Sequence, residues 1–227
     1  MKTERVFVYG AGGHGKVVAD ILISKGCREL AGFVDDREEL RGTNVLGLPV
    51  LGNGEWLLEE AANSCLTIAL GVGDNSSRHS IMERCSRSGI EVVTLVHPAA
   101  TVARSAHLGR GTVVMAGAII NPKATIGTAV IVNTGAVLEH DVNISDYAHV
   151  APKSAMGGAS GLGAFSHLGM GATVLQCVQI GSHTIVGAGA VVVKDLPDQV
   201  MAIGVPARIR RHLKPDDLSI ETATSKR

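Results

Sequence analysis

The sequence predicts an α/β, Rossmann-like N-terminal domain over residues 1–95, a parallel β-helix of hexapeptide repeats over 96–194, and a short C-terminal extension over 195–227. Three observations carry this prediction. An aliphatic residue (once Met) occupies every sixth position from Val102 to Val192, sixteen times in succession. Four residues after each of the first fifteen the side chain is small or at most Val, as at Ala106, Thr112, Ala118 and Ser154. Ahead of the repeat, residues 5–34 read as strand, glycine loop, helix and strand.

A period of six fits neither an α-helix nor a lone strand. Each hexad is expected to make one short strand and a turn, three hexads closing a triangular coil with the aliphatic residue inside and the small one at a corner. Positions eighteen residues apart then stack at the ordinary strand spacing of about 4.8 Å. A Val/Ala/Gly-rich sandwich would show alternation and irregular loops instead.

In chain order, Arg5 to Tyr9 forms a strand that runs into Gly10-Ala-Gly12-Gly13-His14-Gly15 and a helix beginning at Lys16. Glycines let a ligand approach the backbone, and a helix N-terminus offers N–H groups and partial positive charge to a phosphate. Leu30 to Val34 forms a second strand ending in Asp35-Asp36. Gly10, Gly12 and Gly15 match G-x-G-x-x-G with an acidic pair downstream, which alone points to NAD. The domain is too short for a dinucleotide and a substrate site of its own, so a half-sized site for a sugar nucleotide fits better. Helices are expected over 55–62 and 77–88, and strands over 66–70 and 91–95, with Gly71 to Asn75 as a turn. Beyond Val192 the periodicity ends at Lys194 to Pro197, residues 202–208 form a turn, 209–213 a short basic segment, and 215–227 a poorly ordered polar tail.

Composition narrows the function. The net charge is zero and aromatics make up 3%, which gives no basic surface for nucleic acid. No run of eighteen apolar residues exists to enter a membrane, and the charged N-terminus is not expected to act as a signal peptide. Four cysteines without CxxC spacing fit free thiols in a reducing cytoplasm.

The GAGGHGKVVAD opening, the FVDD strand end, the unbroken hexads carrying Glu139-His140-Asp141 and the closing Gly204-Val-Pro-Ala together resemble one family. It is the bacterial sugar O- and N-acetyltransferases of the sialic acid O-acetyltransferase type, which include enzymes acting on nucleotide-linked 4-amino sugars in bacillosamine and perosamine biosynthesis. The resemblance spans residues 4–212. It implies left-handed winding of the β-helix, a homotrimer with active sites between neighbouring prisms, acetyl-CoA as donor, and the sugar nucleotide in the N-terminal domain.

Acetyl transfer to an amine or hydroxyl needs a base for the nucleophile's proton and N–H groups for the developing oxyanion. Of nine histidines, His140 is the expected base, because it stands between carboxylates and matches the family's catalytic position. Asp141 is the expected orienting partner and Glu139 its substitute. The resemblance also assigns His149 and Gly158 to acetyl-CoA, Gly204, Pro206 and Ala207 to its adenine end, and Arg208, with Arg210 and Arg211, to its phosphates. Gly12, Gly13 and His14 are expected at the nucleotide phosphates or uridine, Asp35 and Asp36 at base or ribose, Gly71 in the same crevice, and Asn133 at the sugar. His149 and His167, eighteen apart, should stack on one edge.

Other readings share parts of this pattern. A zinc hydrolase of the γ-carbonic anhydrase type uses the same prism but needs a close histidine pair on one strand, whereas the nearest spacings here are nine and ten, so no metal is expected. A sialic acid O-acetyltransferase and a non-catalytic nucleotide-sugar-binding trimer are the alternatives to N-acetylation.

Overall fold

The computed structural model describes residues 5–214. The expected tail over 215–227 lies outside the described residues.

The N-terminal sheet is built on β1 (Arg5–Tyr9), whose alternating side chains face two ways. Its partners are β2 (Leu30–Val34), β3 (Asn44–Val45), β4 (Leu48–Gly52), β5 (Leu66–Leu70) and β6 (Glu91–Val92), in the spatial order β3-β4-β2-β1-β5-β6. All neighbours are parallel except β3 against β4. Phe7 and Tyr9 pack with Leu57 of helix α2 (Gly54–Asn63) and Ile81, Met82 and Cys85 of helix α3 (Asn75–Arg87). Val8, on the opposite face, packs with Val18, Ala19, Ile21 and Leu22 of helix α1 (Gly13–Ser24). The result is a doubly wound sheet whose strand order reverses at β1, between β2 and β5, where such folds open a crevice at the strand ends. β3 and β4 lie in a stretch that the sequence reading left without strands, because Gly42, Gly47 and Pro49 interrupt the apolar pattern.

The repeat forms seventeen two-residue strands, from Leu95–Val96 to Val191–Val192, in three parallel sheets. Each strand pairs with the one eighteen residues on: Val113 with Ile131, Ile131 with His149, His149 with His167. The sixth-position residues from Val114 to Val192 are buried, while Val102 and Leu108, in the first coil, are half-buried. The small residues four places later are buried too, from Thr112 onward, while Ala106 is half-buried. Where they are polar they bond a carbonyl: Thr112 Oγ1 to Gly127 at 2.7 Å, Ser166 Oγ to Gly181 at 2.7 Å and Thr184 Oγ1 to Pro197 at 2.8 Å. From Gly111 to Gly189 every sixth residue has positive φ, including Asp141 (60°), Tyr147 (60°) and Phe165 (58°). Only some of these corners are glycine, so the stack holds the others in a conformation that costs roughly 1–2 kcal/mol each for an L-residue.

Two boundaries differ from the sequence reading. The strand expected over 91–95 ends at Val92, and Leu95–Val96 is already a strand of the prism, paired with Val113–Val114. At the other end Val200–Ile203 extends the prism sheet in parallel with Ile185–Val186, and Arg208–His212 closes it antiparallel. Residues 209–213, expected as a basic segment, therefore belong mostly to this closing strand.

The domains meet in two places. Outward-facing Leu95, Val113, Met115 and Ile131 of the prism join the apolar cluster under α1. On the other side, Arg78 of α3 is 1% exposed and spends its guanidinium on oxygens. Nε donates to the Ala129 carbonyl at 2.9 Å, Nη1 to Gly73 at 2.8 Å, and Nη2 to the Asn75 side chain and Tyr147 carbonyl, both at 2.8 Å, and to Ala148 at 3.3 Å. Asn75 Nδ2 donates onward to the Phe165 carbonyl at 2.8 Å. Burial pulls the Arg78 pKa down to about 9, against the opposing pull of Asp74.

Arg78→Met removes these donors and strands several buried carbonyls, each lost charged hydrogen bond being worth about 1.5–3 kcal/mol. Urea unfolding of the variant is expected to show a loss of roughly 3 kcal/mol or more at the domain junction. A midpoint equal to that of the unaltered chain would show that the junction does not depend on Arg78.

Candidate active site

A cleft of about 760 Å³ opens where the first turns of α1 and α3 face the prism; its lining includes Gly12, Gly13, His14, Asp35, Asp36, Arg37, Gly71, His149 and His167. The glycines divide into two kinds. A Cβ on Gly15 would stand 1.8 Å from the Gly10 carbonyl oxygen, and one on Gly10 (φ 108°) 2.7 Å from that of Gly71. A Cβ on Gly71 would press on Val8 at 2.7 Å. These three permit close packing of turn against turn. Gly12 and Gly13 are different: a Cβ on Gly12 would meet only Arg37, at 3.6 Å, and one on Gly13 nothing within 4 Å. Gly12 is also the N-cap of α1 and supplies no side-chain cap, whereas Asn53 caps α2 and Asp74 caps α3. The first N–H groups of α1 are thereby left for an anion.

The two aspartates are engaged within the chain. Asp35, 7% exposed, accepts the Ala11 N–H at 2.7 Å and the Arg37 N–H at 3.0 Å, and takes Arg37 Nε and Nη2 at 2.8 Å each. Burial works against its ionisation, but the Arg37 and Ala11 bonds prevail and hold the carboxyl below its usual range. The sequence reading gave this carboxylate to base or ribose; in the fold both its oxygens accept protein donors, from Ala11 and from Arg37. Asp36 accepts from Tyr9 Oη at 2.9 and 3.0 Å and from the Gly54 N–H at 2.8 Å, at the start of α2. Burial first, then the Asp36 hydrogen bond, raises the Tyr9 pKa.

His14, His149 and His167 form one wall. The His149 and His167 rings meet edge to face with centroids 4.8 Å apart, on strands in register, as the eighteen-residue spacing predicts. His14 lies 6.4 Å from His149. Asn133 Nδ2 bonds His149 Nε2 at 3.0 Å, so Asn133 is placed behind this wall as a partner of His149. Buried nitrogens of His14 (Nε2) and His167 (Nδ1) have no hydrogen-bond partner among the described residues. Burial first, then the nearby Arg78 charge, pulls His14 and His167 down to about 4. His149 is lowered by burial, then by His167, Arg78 and His14.

His140 lies elsewhere, outside the cleft lining. It follows the strand Val137–Leu138 at a corner, and its Nδ1 stands 2.8 Å from Asp141 Oδ2. With Nδ1–H donated to the carboxylate, Nε2 is left with its lone pair outward. The positive φ of Asp141 is the corner conformation shared by every hexad from Gly111 onward, so the repeat itself sets the carboxylate beside the ring. Gly158, one coil on, would bring a Cβ within 2.6 Å of the His140 Cε1 and Nε2; the ring lies across the space a side chain would fill. Gly204, Pro206 and Ala207 make the turn between the two closing strands, docked by the Ala207 N–H on the Val191 carbonyl at 2.8 Å, and Arg208 begins the last strand. His149 and Gly158, both assigned to one ligand by the sequence reading, thus stand in different parts of the protomer: His149 in the cleft wall, Gly158 under His140.

The three low histidine pKa values give a pH signature. The unfolded chain takes up these protons near the ordinary imidazole value of about 6.5, whereas the native chain takes up those of His14 and His167 only near 4, with His149 lowered as well. Their neutral state thus contributes stability in full above pH ~6.5, lost progressively as pH falls towards 4. Urea midpoints measured from pH 7 to 4 are expected to fall, and His14→Asn or His167→Asn to flatten that slope. An unchanged slope in both variants would assign the acid sensitivity to other groups.

Residues 5–85 match the family model described as the PglD N-terminal domain. The chain is 39% identical over 122 residues to UDP-N-acetylbacillosamine N-acetyltransferase of Bacillus subtilis (strain 168), covering 50% of this chain and 52% of that protein, so it spans about half the length of that relative. It is 28% identical over 187 residues to GDP-perosamine N-acetyltransferase of Escherichia coli O157:H7, covering 80% and 82%. Among solved structures, PerB from Caulobacter crescentus in complex with CoA and GDP-perosamine superposes with a TM-score of 0.86 at 41% identity, covering 91% of this chain and 97% of that one. The acetyltransferase domain of PglB from Neisseria gonorrhoeae FA1090, in complex with acetyl coenzyme A, gives 0.83 at 36% identity, covering 92% and 100%. The chain belongs to the bacterial sugar acetyltransferase family that includes the perosamine and bacillosamine N-acetyltransferases.

Proposed function

We propose that this protein transfers the acetyl group of acetyl-CoA to the amine of a nucleotide-linked 4-amino-deoxysugar. The observation that carries the reading is the His140–Asp141 pair, 2.8 Å apart on a solvent-facing corner of the prism, in a chain that also builds a cleft with an uncapped helix N-terminus. The relatives that bind CoA together with a nucleotide sugar support it.

In this reading the sugar amine attacks the thioester carbonyl, a C–N bond forms, and the C–S bond breaks as CoA leaves. His140 Nε2 takes the proton that the amine loses and returns it to the departing thiolate, while Asp141 holds the ring and balances the imidazolium. Gly12, Gly13 and His14 receive the nucleotide part, with Asp36 and Gly71 in the same crevice. Asp35 stands with Asp36 at the base or ribose, and Asn133, bonded to His149, at the sugar. Acetyl-CoA runs from Gly158 towards Gly204, Pro206, Ala207 and Arg208. His149, on the cleft wall, meets the acetyl end where donor and sugar come together.

Within one protomer His140 and the cleft stand apart, which supports a homotrimer in which neighbouring prisms bring them together. Left-handed winding and a Rossmann-like nucleotide site complete the reading. Both co-substrates are cytoplasmic metabolites, so the enzyme is assigned to the cytoplasm, without a metal.

A thiol-release assay with acetyl-CoA against UDP- and GDP-4-amino sugars and sialic acid tests the assignment. Turnover on an amino sugar is expected; release with sialic acid alone would make the enzyme an O-acetyltransferase. His140→Ala is expected to lower kcat by roughly 10²–10⁴. A near-full rate in that variant would remove His140 from the base role, and light scattering of a fully active monomer would defeat the shared site.

A further inference from the structure

We propose that His167 of the prism and Asp74 of the N-terminal domain hold the sugar ring of the nucleotide-linked substrate by its hydroxyl groups. The inference deepens the function proposed above and rests on its assignment of the cleft to a nucleotide sugar. Polar side-chain atoms buried without a partner are uncommon in folded proteins. Among the described residues the wall of this cleft gathers His14 Nε2, His167 Nδ1 and Asp74 Oδ1 in that condition. His14 belongs to the start of α1, where the diphosphate is received. The other two stand where the N-terminal domain meets the prism. Arg78 Nη1 holds the Gly73 carbonyl at 2.8 Å, and Asn75 Nδ2 reaches the carbonyls of Phe165 and Ser166 at 2.8 and 3.4 Å. Both chain neighbours of Asp74 are thereby fixed, and Asn75 is tied to the two residues that lead into the strand His167–Leu168. Asp74 Oδ2 caps α3 through the Ser77 N–H at 2.8 Å, which leaves Oδ1 over.

The chemistry of this pair selects its ligand. A carboxylate repels a phosphate and accepts a hydrogen bond from a hydroxyl. Burial, then the Arg78 charge, keeps the His167 ring neutral, so it carries one N–H and one lone pair. A hydroxyl donates and accepts, and so matches both groups; an ionised phosphate only accepts. Rotation about χ2, a broad torsion in both side chains, turns them towards a bound hydroxyl. With the diphosphate at α1 and the base and ribose towards Asp36, the hexose is the hydroxyl-bearing part left for the prism side. The His149 ring, 4.8 Å from that of His167, then keeps the sugar beside the acetyl end.

Calorimetric titration of the full chain, unaltered and as His167→Phe and Asp74→Asn, tests this with GDP, UDP, GDP-perosamine and a UDP-linked 4-amino-deoxysugar. Phenylalanine keeps a ring against His149, and asparagine keeps the α3 cap. Each variant is expected to weaken the sugar nucleotide about fivefold or more while affinity for the matching nucleoside diphosphate changes less than about twofold. In the acetylation assay KM for the sugar nucleotide rises more than kcat falls. Retained diphosphate binding reports that the variant cleft is folded. Equal losses for the diphosphate and its sugar nucleotide would move the pair to phosphate or ribose and overturn the proposal, as would no loss in either variant. An unaltered chain that binds none of the four ligands would overturn the cleft assignment and this proposal together.

Discussion

Arg78 is the constraint on which the relation between the two domains depends. A repeat prism and a doubly wound sheet each bury apolar residues of their own, and the non-directional apolar contact under α1 leaves to a directional link the task of fixing their orientation. The buried guanidinium does so by bonding one loop oxygen and one side-chain oxygen of its own domain and the carbonyls of Ala129, Tyr147 and Ala148 across the junction. Those carbonyls belong to two successive coils and lie next to His149. Location and charge therefore have one cause: the group that sets His149 against His14 also discourages protonation of all three cleft histidines.

The prism contributes rigidity of another kind. Parallel strands two residues long would be weak alone, yet each is clamped above and below by a strand of the same length in fixed register. Corners with positive φ recur because the stack enforces them, and a functional side chain placed at a corner inherits that geometry. Asp141 is such a side chain. Its neighbour His140 extends over Gly158, so catalytic geometry depends on an absent side chain one coil away. Sites on repeats of this type are held by stacking period more than by any local loop.

Much of this was legible in the sequence. The six-residue period marked the prism strands from Thr101–Val102 to Val191–Val192 and the register of His149 on His167, because periodicity survives where individual contacts do not. The glycine loop and the acidic strand end marked the cleft. What the sequence hid were interactions between distant segments of similar polarity. Arg78 lies in a polar run, NSSRHS, that reads as a solvated helix face, and nothing local reveals that the prism covers it. Asp35 reads as a ligand-binding carboxylate, and only the fold shows its oxygens turned to Ala11 and Arg37. The separation of His149 from Gly158 was invisible for the same reason: a linear repeat says which residues share a column, not which column faces the other domain.

The antiparallel strand Arg208–His212 has a consequence for solubility. A parallel coil stack presents at its end a row of unpaired amides and carbonyls, able in principle to receive another coil from another molecule. Here the chain turns back on itself after Val200–Ile203, so the final edge runs in the opposite direction and carries Arg208, Arg210 and Arg211. A neighbouring prism cannot continue the winding through such an edge, and the clustered positive charge repels another copy of itself. On this one of its three faces the repeat ends by reversing polarity, which opposes growth of a modular, self-similar stack into a fibre.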